Sequence, residues 1–274
     1  MATRLLDIGC HFRYSSTLPT AAVFMVEPRP SEAVDVLEES WVETPEPQST
    51  PYVDSHGNHC RRLIIPQGVS TYTYSALVEV PDAEDAYDPE VPEVLPVDLP
   101  SEVLHYTLPS RFVLPDVIGN NAWKKFGSMT PGYGRVEAIM DWTWNHLTYV
   151  TGSSTPTTTA ADAFAAGRGV CRDFTHLMIT MCRALNIPAR YAYGYLPDMD
   201  VTPNPVPMDF HAWVEVYLGD SWWVFDPRHN RRRKGRVRVA VGRDAADVAM
   251  VTTWGAPWMQ LMTVTAQEHL ATPA

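Results

Sequence analysis

Two stretches in the second half of the chain carry apolar residues at helical spacing. The first covers residues 134–147, with Val136, Ile139, Met140, Thr143, Trp144 and Leu147 on its apolar face. The second begins near Cys171, with Phe174, Leu177, Met178, Met181, Cys182 and Leu185 on one face, and it ends before Pro188. Apolar residues at i, i+3, i+4 and i+7 share one side of an α-helix. The pattern therefore predicts two amphipathic helices, joined through a Ser/Thr-rich loop.

Strand-like alternation follows the second helix. The segments with this pattern are residues 189–195, 210–218, 221–226 and 237–241. Gly219-Asp220 lies between two of them and is a turn signal, so the middle pair reads as a β-hairpin. This half of the chain therefore predicts helices packed on an antiparallel sheet, an α+β arrangement.

The first 110 residues have a different pattern. Short β-branched and aromatic segments at residues 21–26, 61–65 and 71–80 are separated by turn-forming residues, which is typical of a small β-sandwich or barrel. Residues 81–110 hold six prolines and eight acidic residues, which favours a linker or a surface-wrapping strap. We expect a β-rich unit at 1–110, with its linker at about 81–110, and a second unit at 111–274.

Charge supports the same division. Of the 32 acidic residues 18 lie within residues 1–110, but only five of the 21 basic residues do. The net charge of −11 over 274 residues disfavours a nucleic-acid or anionic-membrane partner. The chain has no run of 18 apolar residues and no secretory signal pattern, and its four cysteines lack CxxC spacing. These features predict a cytoplasmic protein with reduced thiols and no membrane partner.

Cys171 is the first candidate for chemistry. It starts the second predicted helix, directly after the turn signal Gly167-Arg168-Gly169. Unpaired N–H groups and the helix dipole at that end favour an anion, and a thiolate is an anion. The same N–H groups also fit the oxyanion of a bound acyl group. The competing interpretation is a small, buried apolar cysteine.

The predicted hairpin supplies partners for this thiol. A two-residue loop pairs Leu218 with Ser221, and in that register His211 and Asp226 share one face as diagonal neighbours. Such neighbours have Cα atoms about 7–8 Å apart, close enough for an imidazole to meet a carboxylate. Each residue alone is typical of a packed strand histidine or a turn aspartate. Together with Cys171 they match a nucleophile, a base and a group that orients the base.

The runs GRGVCRDFTHLMITMCRALNIPARYAYGYLP and DFHAWVEVYLGDSWWVFDPRHN resemble the transglutaminase-like cysteine enzymes, especially their bacterial two-domain branch with an N-terminal β domain. The resemblance implies a papain-like core in which a Cys-bearing helix packs on an antiparallel sheet. It implies that Cys171 is the nucleophile, His211 the general base and Asp226 its orienting residue. Arg228-His229 departs from the smaller residues that many relatives carry after Asp-Pro.

Two further residues near the nucleophile are weaker candidates. Tyr149 occupies a place where the family often has an aromatic residue near the cysteine, so its hydroxyl is a candidate oxyanion donor. Arg172 follows the nucleophile and would favour a thiolate, although a solvated first turn explains it equally. His176 lies off the Cys171 side of the helix and is not expected to be the base.

Metal and nucleic-acid interpretations have less support. His56, His59 and Cys60 fit no zinc spacing, and a turn at Gly57-Asn58 explains the segment, so we expect no metal and no cofactor. Residues 231–238 contain six basic residues among eight. Nucleic-acid binding is one interpretation, and a solvated strap against the acidic first unit is the one we favour.

The sequence therefore predicts a cysteine enzyme that attacks a carboxamide and forms a thioester. Water as the second substrate gives an amidase or peptidase, and an amine gives a protein-glutamine transglutaminase. The chain shows no calcium loop, so we favour hydrolysis of a peptide-like or small amide. The alternative from another class is a non-catalytic binding or assembly module, in which the first unit docks a partner. The oligomeric state is not predicted.

Overall fold

The computed structural model describes residues 2–29, 34–46, 48–203 and 205–269. The β-rich part consists of two four-stranded antiparallel sheets. The first has the order β14-β1-β6-β3, where β1 is Thr3–Ser16, β3 Asp35–Thr44, β6 Gly68–Pro81 and β14 Trp258–Glu268. The second has the order β13-β2-β5-β4, where β2 is Thr20–Phe24, β4 Thr50–Val53, β5 His59–Ile65 and β13 Val251–Thr253.

These two sheets pack through faces formed by every second side chain along their strands. Along β6 alternate side chains from Tyr72 to Val80 are buried, while the residues between them are more exposed. Phe12 of β1 meets Phe24 of β2 edge to face, with ring centroids 5.4 Å apart, so the two inner faces pack directly on each other. The predicted β-sandwich is confirmed.

The end of the chain returns to this sandwich. β14 pairs with β1 over ten residue pairs, and β13 pairs with β2. The sequence pattern of the last thirty residues did not indicate these strands. The division into 1–110 and 111–274 remains a proposal, and the strand pairing shows that the last strands of the second segment lie in the sheets of the first.

The rest of the chain forms the α+β core. Its helices are α1 Ser101–Leu104, α2 Pro115–Phe126, α3 Tyr133–His146, α4 Ala160–Ala166 and α5 Cys171–Ala184, with 3₁₀ turns at Pro96–Asp98 and His105–Thr107. Its antiparallel sheet has the order β11-β10-β9-β12, where β9 is Ala189–Tyr195, β10 His211–Leu218, β11 Ser221–Phe225 and β12 Val237–Gly242. A short parallel pair joins β7 Thr148–Tyr149 to β8 Arg168–Gly169.

Helix α5 lies at the centre of this core. It packs against α2, α3 and α4 and against β9 and β10, and every side chain from Asp173 to Arg183 is buried. The apolar face is the predicted one, but the polar face is also buried. This is tolerated because most of these polar groups are hydrogen-bonded: Arg183, for example, donates to the carbonyls of Ala189, Leu108 and Arg243.

The sandwich is attached to the core sheet by specific polar contacts. Tyr193 and Tyr195 of β9 donate hydroxyl hydrogen bonds to the carbonyls of Met25 and Val26. The fully buried side chain of Asn58 donates to the carbonyl of Val241 and accepts from its N–H. These contacts fix the position of the sandwich relative to the strands of the core. None of the helices in the described part of the chain is long and apolar enough to cross a bilayer.

The basic segment 231–238 does contact the acidic segment 81–110. Arg232 pairs with Glu84, Lys234 with Asp82 and Arg236 with Asp85. The expected contact of this basic segment with the acidic segment is confirmed. The expected exposure to solvent is wrong for two of its arginines, because the side chain of Arg233 is only 2% exposed and that of Arg236 6%.

Candidate active site

Cys171 is the first residue of α5 and is half-buried. The turn before it is tight, since a Cβ on Gly169 would lie 2.6 Å from the Cβ of Asp173. The Asp173 carboxylate accepts the N–H of Val170 at 2.8 Å and so caps the helix. The sulfur of Cys171 is therefore held at the helix start, where the N–H of Arg172 also faces it.

His211 is the first residue of β10, and Asp226 directly follows β11. The hairpin has the predicted register, with Leu218 opposite Ser221 and Glu215 opposite Val224. His211 Nε2 donates to Asp226 Oδ2 at 2.8 Å. The pair that the register predicted is therefore formed. With Nε2 carrying the hydrogen bonded to Asp226, the neutral ring has its free lone pair on Nδ1.

Asp226 is the centre of a larger hydrogen-bond cluster. Its Oδ2 also accepts from His229 Nδ1 at 3.0 Å and from Arg236 Nη2 at 2.9 Å. Its Oδ1 accepts the N–H groups of Arg228 and His229, each at 3.1 Å. Burial alone would raise the pKa of Asp226, but His211 and Arg236 hold it well below its usual range. The carboxylate is therefore ionised and fixed by five donors.

The electrostatics of the thiol differ from the expectation. Burial raises the pKa of Cys171 to about 11, although the N–H groups of Ala212 and Arg172 oppose this shift. The negative charges of Asp209 and Asp226 raise it further. Burial also lowers the pKa of His211, against the opposing effect of Asp226. At neutral pH the resting pair is therefore a neutral thiol and a neutral imidazole, not a preformed ion pair.

Two cavities meet at Cys171 and His211. The first, called here the Arg228 cavity, has a volume of about 390 Å³ and is also lined by Tyr149, Met208, Asp209, Arg228 and His229. The second, called here the Met250 cavity, has a volume of about 570 Å³ and is more apolar, with Tyr191, Tyr193, Val248 and Met250 in its wall. The two cavities leave room for an extended ligand on both sides of the Cys171 thiol.

The weaker candidates take different positions. Tyr149 lines the Arg228 cavity, but its ring face is covered by the guanidinium of Arg228 at 3.9 Å. The Arg172 guanidinium donates to the carbonyl of Thr155 at 2.7 Å, and the Arg172 backbone N–H is the group of this residue that faces the sulfur. His176 is buried and accepts the N–H of Ala245 at 3.1 Å, away from the base position.

One group of side chains has the spacing of metal ligands among the described residues. Ligand atoms of His211, Asp226 and His229 lie within 4.8 Å of one another. These atoms are already joined by hydrogen bonds, and the Arg236 guanidinium donates to the same Asp226 oxygen. A cation there would have to displace Arg236, so the cluster fits an imidazole-orienting role better than a metal site.

Comparison with known proteins agrees with this geometry. A sequence model of the transglutaminase-like superfamily matches residues 122–227. The crystal structure of a protein from Cytophaga hutchinsonii, described as a "Putative Cysteine Protease", is 31% identical and has a TM-score of 0.87. The match covers 100% of this chain and 93% of that one. The chain belongs to the transglutaminase-like superfamily.

Curated relatives match over shorter stretches. Uncharacterized protein ML0607 of Mycobacterium leprae is 38% identical over 117 residues, covering 42% of each protein. Protein YebA of Bacillus subtilis is 28% identical over 146 residues, covering 44% of this chain and 19% of YebA. The chain therefore aligns with less than half the length of these relatives. Membership of the superfamily confirms the transglutaminase-like fold and supports cysteine-based catalysis in general.

Sequence reasoning missed three residues of the site. His229 and Arg236 both donate to Asp226, and Asp209 lines both cavities beside the thiol. His229 was visible only as part of a departure from the family pattern. Arg236 was concealed within the basic run, and nothing in the sequence around Asp209 indicated a role.

Proposed function

We propose that the chain is a cysteine amidohydrolase that cleaves a peptide-like or small amide through a thioester on Cys171. The observation that carries the proposal is the juxtaposition of a helix-start thiol with an Asp226-bound imidazole at the meeting point of two cavities. The name of the Cytophaga hutchinsonii protein, which is similar over the whole chain, supports peptide hydrolysis.

The acylation step follows from the protonation states. Because the resting thiol is neutral, His211 Nδ1 takes the thiol proton as the sulfur attacks the amide carbonyl carbon. The S–C bond forms, and Asp226 stabilises the imidazolium through Nε2. When the C–N bond breaks, the imidazolium returns the proton to the leaving amine. The Cys171 thioester and a neutral His211 remain.

Deacylation uses the same groups. His211 Nδ1 removes a proton from water, whose oxygen attacks the thioester carbonyl, and the C–S bond then breaks. The proton passes from His211 to the sulfur, so that an acid is released and the thiol is restored. A primary amine in place of water would give a transamidation product.

The test is a screen of peptide amides with mass spectrometry of the intact protein. We expect an acyl adduct on Cys171, a free acid product even when a primary amine is added, and no turnover by a folded Cys171→Ala variant. A new amide formed in preference to the acid would establish transamidation instead. A Cys171→Ala variant that kept most of the activity would contradict the covalent mechanism.

A further inference from the structure

Arg228 projects a guanidinium into the cavity that holds the nucleophile. Its backbone N–H is bonded to Asp226 Oδ1, so the residue is tied to the orienting carboxylate of the site. Its guanidinium carbon lies 3.9 Å from the ring centroid of Tyr149, which lies beside Gly169 in the β7–β8 pair. The backbone and the guanidinium of Arg228 are therefore both held in place at the cavity that Cys171 lines.

Among the described residues, the charge of Arg228 has no acidic partner. Five of the six cations in segment 231–238 have carboxylate partners, and only the exposed Arg231 has none among the described residues: Arg232 pairs with Glu84, Arg233 with Asp198, Lys234 with Asp82, Arg236 with Asp85 and Arg238 with Glu215. Within the described ranges, no carboxylate lies within ion-pairing distance of the Arg228 guanidinium. A positive group thus lines a cavity of about 390 Å³ beside the thiol without a counter-charge.

Asp209, the other unpaired charge in this cavity, does not serve as that counter-charge. The pKa of Asp209 is raised by burial and lowered only by the N–H of Phe210, with no contribution from a cation. Its negative charge acts instead on the Cys171 thiol. Both residues line the cavity, but no ion pair joins them among the described residues, so the guanidinium edge remains available to a ligand.

We infer that Arg228, held by Tyr149, binds a carboxylate of the amide substrate. A guanidinium is planar by resonance, so one held over an aromatic ring can still present two parallel N–H donors along its edge, the arrangement that matches a carboxylate. The inference rests on the proposed function and specifies its substrate class: peptide-like amides that carry a carboxylate close to the scissile bond. A free C-terminus and an acidic side chain both supply this group.

The test uses thiol-directed reagents in matched pairs, so that it does not depend on turnover. Bromoacetyl-glycine and bromoacetyl-glycinamide compare a terminal carboxylate with its neutral amide. The α-amides of bromoacetyl-glutamate and bromoacetyl-glutamine make the same comparison for a side chain. Alkylation of Cys171 is followed by mass spectrometry, and each carboxylate-to-amide rate ratio is divided by the ratio measured with glutathione. Effects on the thiol pKa cancel within a pair.

We expect a normalised ratio of about 10 or more in at least one pair, the size of effect typical of a charge-assisted hydrogen bond. Arg228→Gln should bring that ratio close to one, and Arg228→Lys should give an intermediate value. Tyr149→Phe should retain the preference because the ring remains, whereas Tyr149→Ala should reduce it. Arg231→Gln, a change at an exposed arginine outside the Arg228 cavity, is the matched control and should change nothing.

A wild-type ratio near one in both pairs would overturn the inference, as would a preference that survives Arg228→Gln. The pair that shows the preference identifies the source of the carboxylate. A protein that prefers carboxylate reagents but forms no acyl adduct with any amide would contradict the proposed function alone. A protein that hydrolyses amides without this preference would contradict the carboxylate site alone.

Discussion

The negative charge next to the candidate nucleophile opposes ionisation of its thiol. Burial raises the pKa of Cys171, and the Asp209 carboxylate raises it further. Among the described residues, the only hydrogen-bond donor to Asp209 is the N–H of Phe210. A negative charge close to a thiol disfavours its ionisation. The free protein therefore holds Cys171 as a thiol, and in the proposed mechanism proton transfer to His211 accompanies attack on the substrate.

Asp209→Asn should lower the pKa of Cys171 from about 11, because the negative charge is removed while the N–H groups facing the sulfur remain. The alkylation rate with iodoacetamide at pH 8 should rise by about two- to tenfold, corresponding to a fraction of a pKa unit up to one unit. Asp220→Asn, in the hairpin turn, is the control and should leave the rate unchanged. Equal alkylation rates in wild type and Asp209→Asn would show that Asp209 does not act on the thiol.

At the residue scale, the sequence could predict which groups meet but not how they ionise. Strand alternation and a two-residue turn are local features, and they were sufficient to bring His211 and Asp226 together. The pKa of Cys171 depends on burial and on Asp209, both of which arise only when the chain folds. The helix start predicted a lowered thiol pKa. The N–H of Arg172 does act in that direction, but burial outweighs it and the pKa is raised.

Among the elements, local patterns were informative and distant pairings were not. The predicted helices at 134–147 and from Cys171 correspond to α3 and α5, and the hairpin corresponds to β10 and β11. β14 was not recognised because its partner, β1, lies about 250 positions away, and most of its side chains are exposed and lack a clear alternation. A strand at the edge of a sandwich is stabilised mainly by backbone pairing, which constrains the pattern of its side chains only weakly.

The core sheet carries a buried ion cluster across three strands. Glu215 of β10 lies opposite Arg190 of β9 and accepts two hydrogen bonds from it, while Arg238 of β12 donates to the same carboxylate. Burial alone would raise the pKa of Glu215, but Arg190 and Arg238 lower it to about 2. Through Glu215 the cluster links β10, which carries His211, to β9 and to β12.

Glu215→Gln should destabilise the fold by about 3 kcal/mol at neutral pH, because two arginines lose a buried counter-charge. Since the folded pKa of Glu215 lies below its usual 4.5, its contribution is complete above pH 4.5 and is lost as the pH falls towards 2. Urea unfolding from pH 7 to pH 3 should therefore show a shallower loss of stability in the variant. Glu102→Gln, at an exposed residue of α1, is the control, and a variant profile parallel to wild type would contradict the assignment.

At the scale of the whole molecule, Arg236 connects three parts of the chain. It donates to Asp85 in the acidic segment through Nε and to Asp226 in the candidate site through Nη2, and it lies 5.0 Å from the Trp213 ring of β10. Both carboxylates are buried. Arg236 therefore links the acidic segment 81–110 to the carboxylate that binds the His211 imidazole.

Arg236→Gln should cost about 3–5 kcal/mol in the free energy of unfolding, because two buried carboxylates lose their shared cation. Burial already raises the pKa of Asp85 against the opposing charge of Arg236, and the variant removes that opposition. A buried acid with a raised pKa destabilises the fold increasingly as the pH rises above its unfolded value of about 3.9. The loss of stability should therefore be larger at pH 8 than at pH 5, and Asp85→Asn in the variant background should restore part of it at pH 8.

Lys234→Gln removes a neighbouring cation whose partners Asp82 and Asp200 are at the surface, and it should change stability little. Equal losses for Arg236→Gln and Lys234→Gln, or a loss independent of pH, would show that the basic segment acts only as a surface strap.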